Sequence, residues 1–275
     1  MQHLILSLAM AMQWKDLGGG RLELLDNGKP ALVYNYGAQL AAGVPEDRKR
    51  ASYIYPVYTP AGVSVTDDFP KDHYHHRGLF WGWPVVETGG MKYDLWMMKG
   101  GIEDRFERWV QKKAGAKDAL LVVENGWYAE GVKIVKETVQ IKTTPAAGSR
   151  VLEVTLDLEA LGAPVTIKGS QEKGKSYGGL SVRFAAREQT KLTADTGAVV
   201  KDEDLVNHAW AALSAVYGGK SGTLRIDSDP KNPSGAPQWC LRNYGFVGAA
   251  FPGQAGTTLE KGKPVRLHYT VTLTD

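Results

Sequence analysis

The chain of 275 residues holds a single cysteine, Cys240, so no disulfide can form within it. A disulfide scaffold is excluded, although the redox compartment is not fixed by that fact. No apolar run is long enough to cross a bilayer as a helix. The longest, Leu4 to Met12 in MQHLILSLAMAMQW, is too short, and no membrane association is expected. Two readings fit residues 1–13: the remnant of a signal peptide, suggested by Ala9-Met10-Ala11, or an edge strand. The first implies a periplasmic or secreted protein, the second leaves the cytoplasm open. There is no excess of one charge: the formal net charge is +3, with no basic block to track phosphates, and nucleic acid is not an expected partner. Apolar content of 43% and charge of 23% exclude disorder. Nothing in the chain sets an oligomeric state.

Helical signals are scarce too. From Arg21 onward, short β-rich runs are punctuated by Gly, Pro, Asn and Asp. RLELLDNGKPALVYNYG predicts a hairpin turning at Asp26-Asn27-Gly28-Lys29. In Val132 to Thr144, the residues Val132, Ile134, Val139 and Ile141 are set among Lys and Glu; in Val151 to Leu158 the period is near two. Each predicts an antiparallel strand wet on one side. Asp202 to Val216 is the one candidate helix, capped by Asp202 or Asp204. More than a dozen strands without interleaved helices predict an all-β fold: a large two-sheet antiparallel β-sandwich with few short helices. No repeat or linker divides the chain, so residues 14–275 are expected to form one domain.

Chemistry concentrates in Asp67 to Trp83, DDFPKDHYHHRGLFWGW. His73, His75 and His76 fall within four positions beside Asp72 and Arg77. In an extended backbone His73 and His75 share a face, while His76 joins Asp72 and Tyr74 opposite. Imidazole exchanges protons near neutral pH, and Arg77 could hold a carboxylate or oxyanion. Asp68, His73, His75, His76 and Arg77 are therefore the candidate catalytic set. Beyond it, Arg77, Leu79, Trp81 and Trp83 would line one strand face, placing a titratable rim above two indoles as a sugar site requires. The bland alternative is a solvated turn with core tryptophans. Arg183 and Arg242, flanked by strand-forming residues, read as ligand clamps or structural ion pairs. Glu172 precedes a Gly-rich turn at Tyr177. Trp81, Glu172, Tyr177, Arg183, Trp239, Arg242 and Asn243 are the candidate substrate contacts. Cys240 reads as a packed thiol. No cofactor is required by this pattern. A divalent metal on His73 and His75, with Asp68 or Asp72, is the alternative, and only His208 and His268 remain as further imidazoles.

Four blocks, YIYPVYTPAG, VTDDFPKDHYHHRGLFWGW, YGGLSVRF and DSDPKNPSGAPQWCLRNYGFVGAAFPG, resemble in order the bacterial family called methane oxygenase PmoA. The resemblance implies a galactose-mutarotase-like supersandwich and a setting in carbohydrate metabolism. Asp229 and Cys240 stand where that pattern carries histidine, which weakens a multi-histidine metal centre. The expected partner is a small-molecule carbohydrate. The expected function is an enzyme moving protons on a glycoside or sugar acid: a lyase, dehydratase, epimerase or hydrolase. In the elimination version His75 or His76 takes the proton, and Tyr177 or Tyr244 returns one. A hydrolase would want two carboxylates about 5–10 Å apart, from Asp68, Glu103 and Glu172. A non-catalytic carbohydrate-binding protein and a soluble metal-dependent oxidoreductase are the alternatives.

Overall fold

The Asn27-Gly28 pair turns the chain back on itself with both residues at positive φ (52° and 76°), the conformation a tight hairpin of matching twist requires. That hairpin, in a computed structural model describing residues 12–233 and 235–275, begins the first of two large antiparallel sheets. The front sheet runs in the order Gln13–Gly18, Arg21–Asp26, Lys29–Asn35, Tyr53–Val57, Leu79–Gly82, Gly179–Arg183, Phe246–Ala250, Gln238–Arg242, Glu203–Asn207. The back sheet runs Gly197–Ala198, Glu188–Ala194, Trp210–Tyr217, Lys220–Ser228, Val265–Thr274, Ser149–Ala160, Val132–Ala146, Ala119–Ala129, Ile102–Ala114. A four-stranded sheet of Thr257–Leu259, Val165–Lys168, Val85–Thr88 and Met91–Tyr93 stands beside them. The expected all-β sandwich is the fold. The only helical turn among the described residues is Glu46–Arg48. The N-terminal reading concerns residues that, up to 11, lie outside the described ones.

Alternation along the strands sorts side chains onto two faces. Ile54, Leu79, Trp81, Leu180, Val182, Trp239, Leu241, Val247 and Ala249 point from the front sheet into the space between the sheets. There they meet Leu121, Val139, Leu156, Leu213, Ile226 and Val271 of the back sheet. Their immediate neighbours Tyr53, Phe80, Cys240 and Phe246 point the other way and form a second cluster with Trp96 on the outer face.

Two expectations fail here. Asp202 to Val216 is not a helix but the edge strand Glu203–Asn207, a bend, and the strand Trp210–Tyr217. Its alanines favour helix intrinsically, yet pairing on both sides of Trp210–Tyr217 overrides propensity. The bend is pinned by His208, buried to 1% exposure, whose Nδ1 and Nε2 lie 2.7 and 2.9 Å from Asp195 Oδ1 and Glu203 Oε2. The second failure is one of phase. An irregularity between Lys133 and Val135 shifts the strand register, leaving Val132 65% exposed and turning Val135, Glu137, Val139 and Ile141 inward. Glu137, read as part of a wet face, is thus fully buried. Asn125 donates to it at 2.9 Å, and the indoles of Trp81 and Trp127 donate at 3.0 and 2.9 Å.

Candidate functional site

The outer face of the front sheet carries a cavity of about 510 Å³. Its floor comes from strands: Cys240 and Arg242 alternate with Trp239 and Leu241, and Phe246 pairs with Arg242 across the next strand. Gly248 lies opposite Cys240 in the ladder; a Cβ there would come within 2.8 Å of Ser181 Oγ, so the absence of a side chain keeps the floor low. Three loops supply the walls: His73 to His76, Asp94 to Met97, and Glu172 to Tyr177, with Tyr244 closing one end.

The histidines do converge, and they do so by stacking. His73 lies parallel to His76, with centroids 4.6 Å apart and planes 1° apart. Tyr244 stacks on the far side of His73 at 5.4 Å, and Phe246 stacks on His76 at 4.8 Å. His75 meets the His76 ring edge-on at 4.5 Å, and Trp96 lies 6.0 Å from His76. Burial, then the nearby His73 and Arg48, lowers His75 to about 3. Burial also pushes His76 well below the ordinary histidine value, helped by His75 and His73. Burial thus disfavours the imidazolium form of both rings. His73 differs because it has a carboxylate partner: its Nδ1 lies 3.0 Å from Asp72 Oδ2. Arg183 Nη2 holds both oxygens of that carboxylate at 2.9 and 2.8 Å, and its guanidinium sits 4.8 Å from the Tyr244 ring centroid. Burial works to raise the Asp72 carboxyl, but His73 and Arg183 beside it leave it below its ordinary range.

In the loop that ends at Tyr177, the Tyr177 hydroxyl donates to Glu172 Oε1 at 2.7 Å. Burial, with Glu172 beside it, pushes this phenol up to about 12. Arg242 is tied by Nη2 to Asp204 at 2.6 Å and by Nη1 to the Glu203 carbonyl at 2.9 Å. Burial raises the Cys240 thiol to about 12. Asp94 is committed to the backbone, accepting from the Met97 N–H at 2.7 Å.

Of the residues singled out in the sequence, His73, His75, His76, Glu172, Tyr177 and Arg242 line the cavity, and Arg183 braces it through Asp72. Five do not reach it. Arg77 is fully buried against Asp68 at 3.0 Å, with Tyr53 donating to the same carboxylate at 2.9 Å, so this pair lies away from the cavity. Trp81 and Trp239 belong to the core between the sheets, their indoles given to Glu137 and to the His208 carbonyl. The titratable rim above two indoles is therefore corrected: Trp81 and Trp83 face the core, and the ring beside the histidines is Trp96. Asn243 lies in the turn before Tyr244, its backbone N–H and side-chain amide donating to Asp202 at 2.8 and 3.2 Å.

No curated protein matches the sequence. A family model matches residues 21–275. The chain belongs to a family of unknown function, DUF6807. None of the comparisons carries the methane-oxygenase name suggested by the motif blocks. Among solved structures, the GalM/aldose epimerase homologue from C. elegans is 8% identical, with 92% of this chain and 94% of that chain covered and a TM-score of 0.38. A galactose mutarotase related enzyme from Lactobacillus acidophilus is 7% identical over 96% and 97% of the two chains, with a TM-score of 0.37. The 4-alpha-glucanotransferase from Thermococcus litoralis is 11% identical over 96% of this chain and 39% of that one, with a TM-score of 0.38.

Within this member of DUF6807, no group of three or more His, Cys, Asp or Glu side chains among the described residues is arranged to hold a metal ion. Parallel stacking of His73 and His76 is the reason in the histidine loop, since stacked rings direct their lone pairs sideways rather than to one point. His208 is engaged by Asp195 and Glu203, and His268 by Thr155 at 2.9 Å in the back sheet. Asp229 and Cys240 lie apart: Asp229 borders a hollow on the outer back sheet, Cys240 the histidine cavity. Trp96, Phe246 and Asp94 are site residues that the sequence reading passed over. Phe246 was within reach of it, because the short turn over residues 243–245 brings it opposite Arg242. The Trp96 loop had no local signal.

Proposed function

We propose that the protein is a carbohydrate-active enzyme that moves a proton on a sugar ring held in the histidine cavity. The observation that carries this reading is a pair of carboxylate-backed proton carriers in one cavity wall set: His73 with Asp72, and Tyr177 with Glu172. With Nδ1 beside Asp72, in ion-pair range but not aligned as a hydrogen bond, Nε2 is left as the atom of the His73 ring to take or return a proton. The Tyr177 hydroxyl stays protonated and donates a hydrogen bond to an oxygen of the sugar, exchanging for it the bond it makes to Glu172. Trp96 and Phe246 offer ring faces to the C–H side of a pyranose, and Arg242 and Lys175 border the polar side.

This reading moves the base from His75 or His76 to His73. Burial penalises the imidazolium forms of His75 and His76, so those rings suit the role of a neutral wall better than that of a proton acceptor. Proton transfer is favoured over two-carboxylate hydrolysis because Asp94 and Glu172 are each engaged, by the Met97 N–H and by Tyr177.

The test is an NMR screen of free hexoses, uronic acids and their glycosides with the full chain, following both anomeric exchange and new products. Turnover of one of them is expected, with His73→Asn and Asp72→Asn lowering the rate about a hundredfold while binding persists. Binding without any turnover, unaffected by either variant, would replace the enzyme reading with a carbohydrate-binding one.

A further inference from the structure

The loop that walls the histidine cavity has a second side. On the strand Tyr53–Val57, Ile54 points into the inter-sheet core, so Tyr53 and Tyr55 point to the outer face, as the cavity floor does. Beside them is a groove of about 460 Å³, comparable to the histidine cavity. Tyr55, Tyr58 and Phe69 give it ring surface, and Arg21, Glu23 and Asp68 give it polar groups. Tyr55 and Tyr58 are only half-buried, whereas Phe69 is nearly closed off.

The partition between groove and cavity is one loop thick. Asp68 and Phe69 face the groove; His73, His75 and His76 face the cavity. The Phe69 N–H donates to the His76 carbonyl at 3.3 Å, joining the two sides directly. Arg77 stiffens the partition, its guanidinium lying 3.1 Å from the Phe69 ring centroid and bonded to Asp68 at 3.0 Å. In the sheet below, Leu79–Gly82 and Gly179–Arg183 separate the strand Tyr53–Val57 from Phe246–Ala250. Three strand spacings make ~14 Å, the reach of a short oligosaccharide and more than that of one ring.

The lining selects among ligand classes. Arg21 beside Glu23, with Asp68 already paired to Arg77, leaves no net positive charge to hold a phosphate or a polyanion. The rim of charges opposes a lipid chain. Half-exposed phenol rings flanked by both donors and acceptors suit a neutral, hydroxyl-rich ring. We propose that this groove is a second saccharide subsite, and that the ligand of the cavity is an oligosaccharide whose further rings lie against Tyr55 and Tyr58. The proposal rests on the sugar reading of the histidine cavity.

Calorimetric titration of the full chain with glucose, galactose and galacturonic acid, and with their linked oligomers up to the tetrasaccharide, tests it. For the sugar that binds, affinity is expected to rise at least tenfold from the monosaccharide to the tetrasaccharide. Tyr55→Ala should abolish that gain and leave monosaccharide affinity unchanged; Tyr58→Ala is read in the same way if the first variant does not fold. Affinity independent of length, or a gain that survives both substitutions, would overturn the groove while leaving the cavity reading intact. Failure of every saccharide to bind the wild type would remove both.

Discussion

Trp81 donates its indole N–H to Glu137 at 3.0 Å, in a core where the two side chains are 1% and 0% exposed. Burial raises the Glu137 carboxyl above its ordinary value against the pull of Asn125, Trp127 and Trp81, and burial raises Asp104 well above its own. A carboxyl whose folded value is raised binds more protons in the folded than in the unfolded state, between the two values. Its contribution to stability is therefore present at low pH and declines as pH rises from the ordinary glutamate value, 4.5, through the raised one. Urea unfolding between pH 4.5 and 7 should show Glu137→Gln gaining stability relative to wild type as pH rises, by at most about 1.4 kcal/mol per pH unit. A difference independent of pH would mean that Glu137 titrates normally.

Arg50 links that core to the cavity. Its guanidinium donates to the carbonyls of Leu95 at 3.0 Å and Trp96 at 3.3 Å, and also to the Trp81 carbonyl. Buried to 2% exposure, it fixes the backbone from which the Trp96 wall projects. Arg50→Lys keeps the charge and loses the fork, leaving buried carbonyls unpaired at a cost of about 2–3 kcal/mol. Beyond the lower urea midpoint, the near-ultraviolet circular dichroism of the tryptophans should change and sugar binding should weaken. Loss of stability with both of those signals retained would make Arg50 a structural residue only.

Cys240 lines the cavity floor, but burial holds its thiol at about 12, so thiolate is scarce at neutral pH. Labelling by a disulfide reagent at pH 8 should be at least about a hundredfold slower in the native chain than in the urea-unfolded one. Labelling of the native chain at the unfolded rate would contradict the buried placement of the thiol.

Much of the architecture was legible in the residues. Asn27-Gly28 announced its hairpin, and alternation in Val151 to Leu158 announced a half-buried strand, because turn chemistry and period-two patterning are local properties. What escaped were consequences of pairing at a distance. The alanines of residues 209–215 favour helix until strands on both sides claim their backbone. Glu137 reads as solvated until a register shift at residues 133–135 turns it inward. Of the site, the histidine cluster and Arg242 were visible as rare residue types in close or strand-flanked positions. The facing of Trp81 was not, since alternation says which residues share a side but not which side meets the other sheet. Nor could Arg77 and Asp68 be told from ligand-binding groups, because their mutual contact at 3.0 Å spans a turn.

The parity of the strand Leu79–Gly82 has a consequence for how this protein can change. Phe80 faces the cavity cluster and Trp81 the core, one residue apart. A substitution at Phe80, which packs against His76 and Trp96, alters the support beneath the cavity and leaves the inter-sheet core intact. Inserting or deleting a single residue in that strand exchanges the two faces at once, placing the indole outside and stranding the Glu137 carboxylate. Diversification of ligand preference in such a scaffold is therefore open to point replacement on the outer face and to length variation in the loops, while the strands beneath must keep their length.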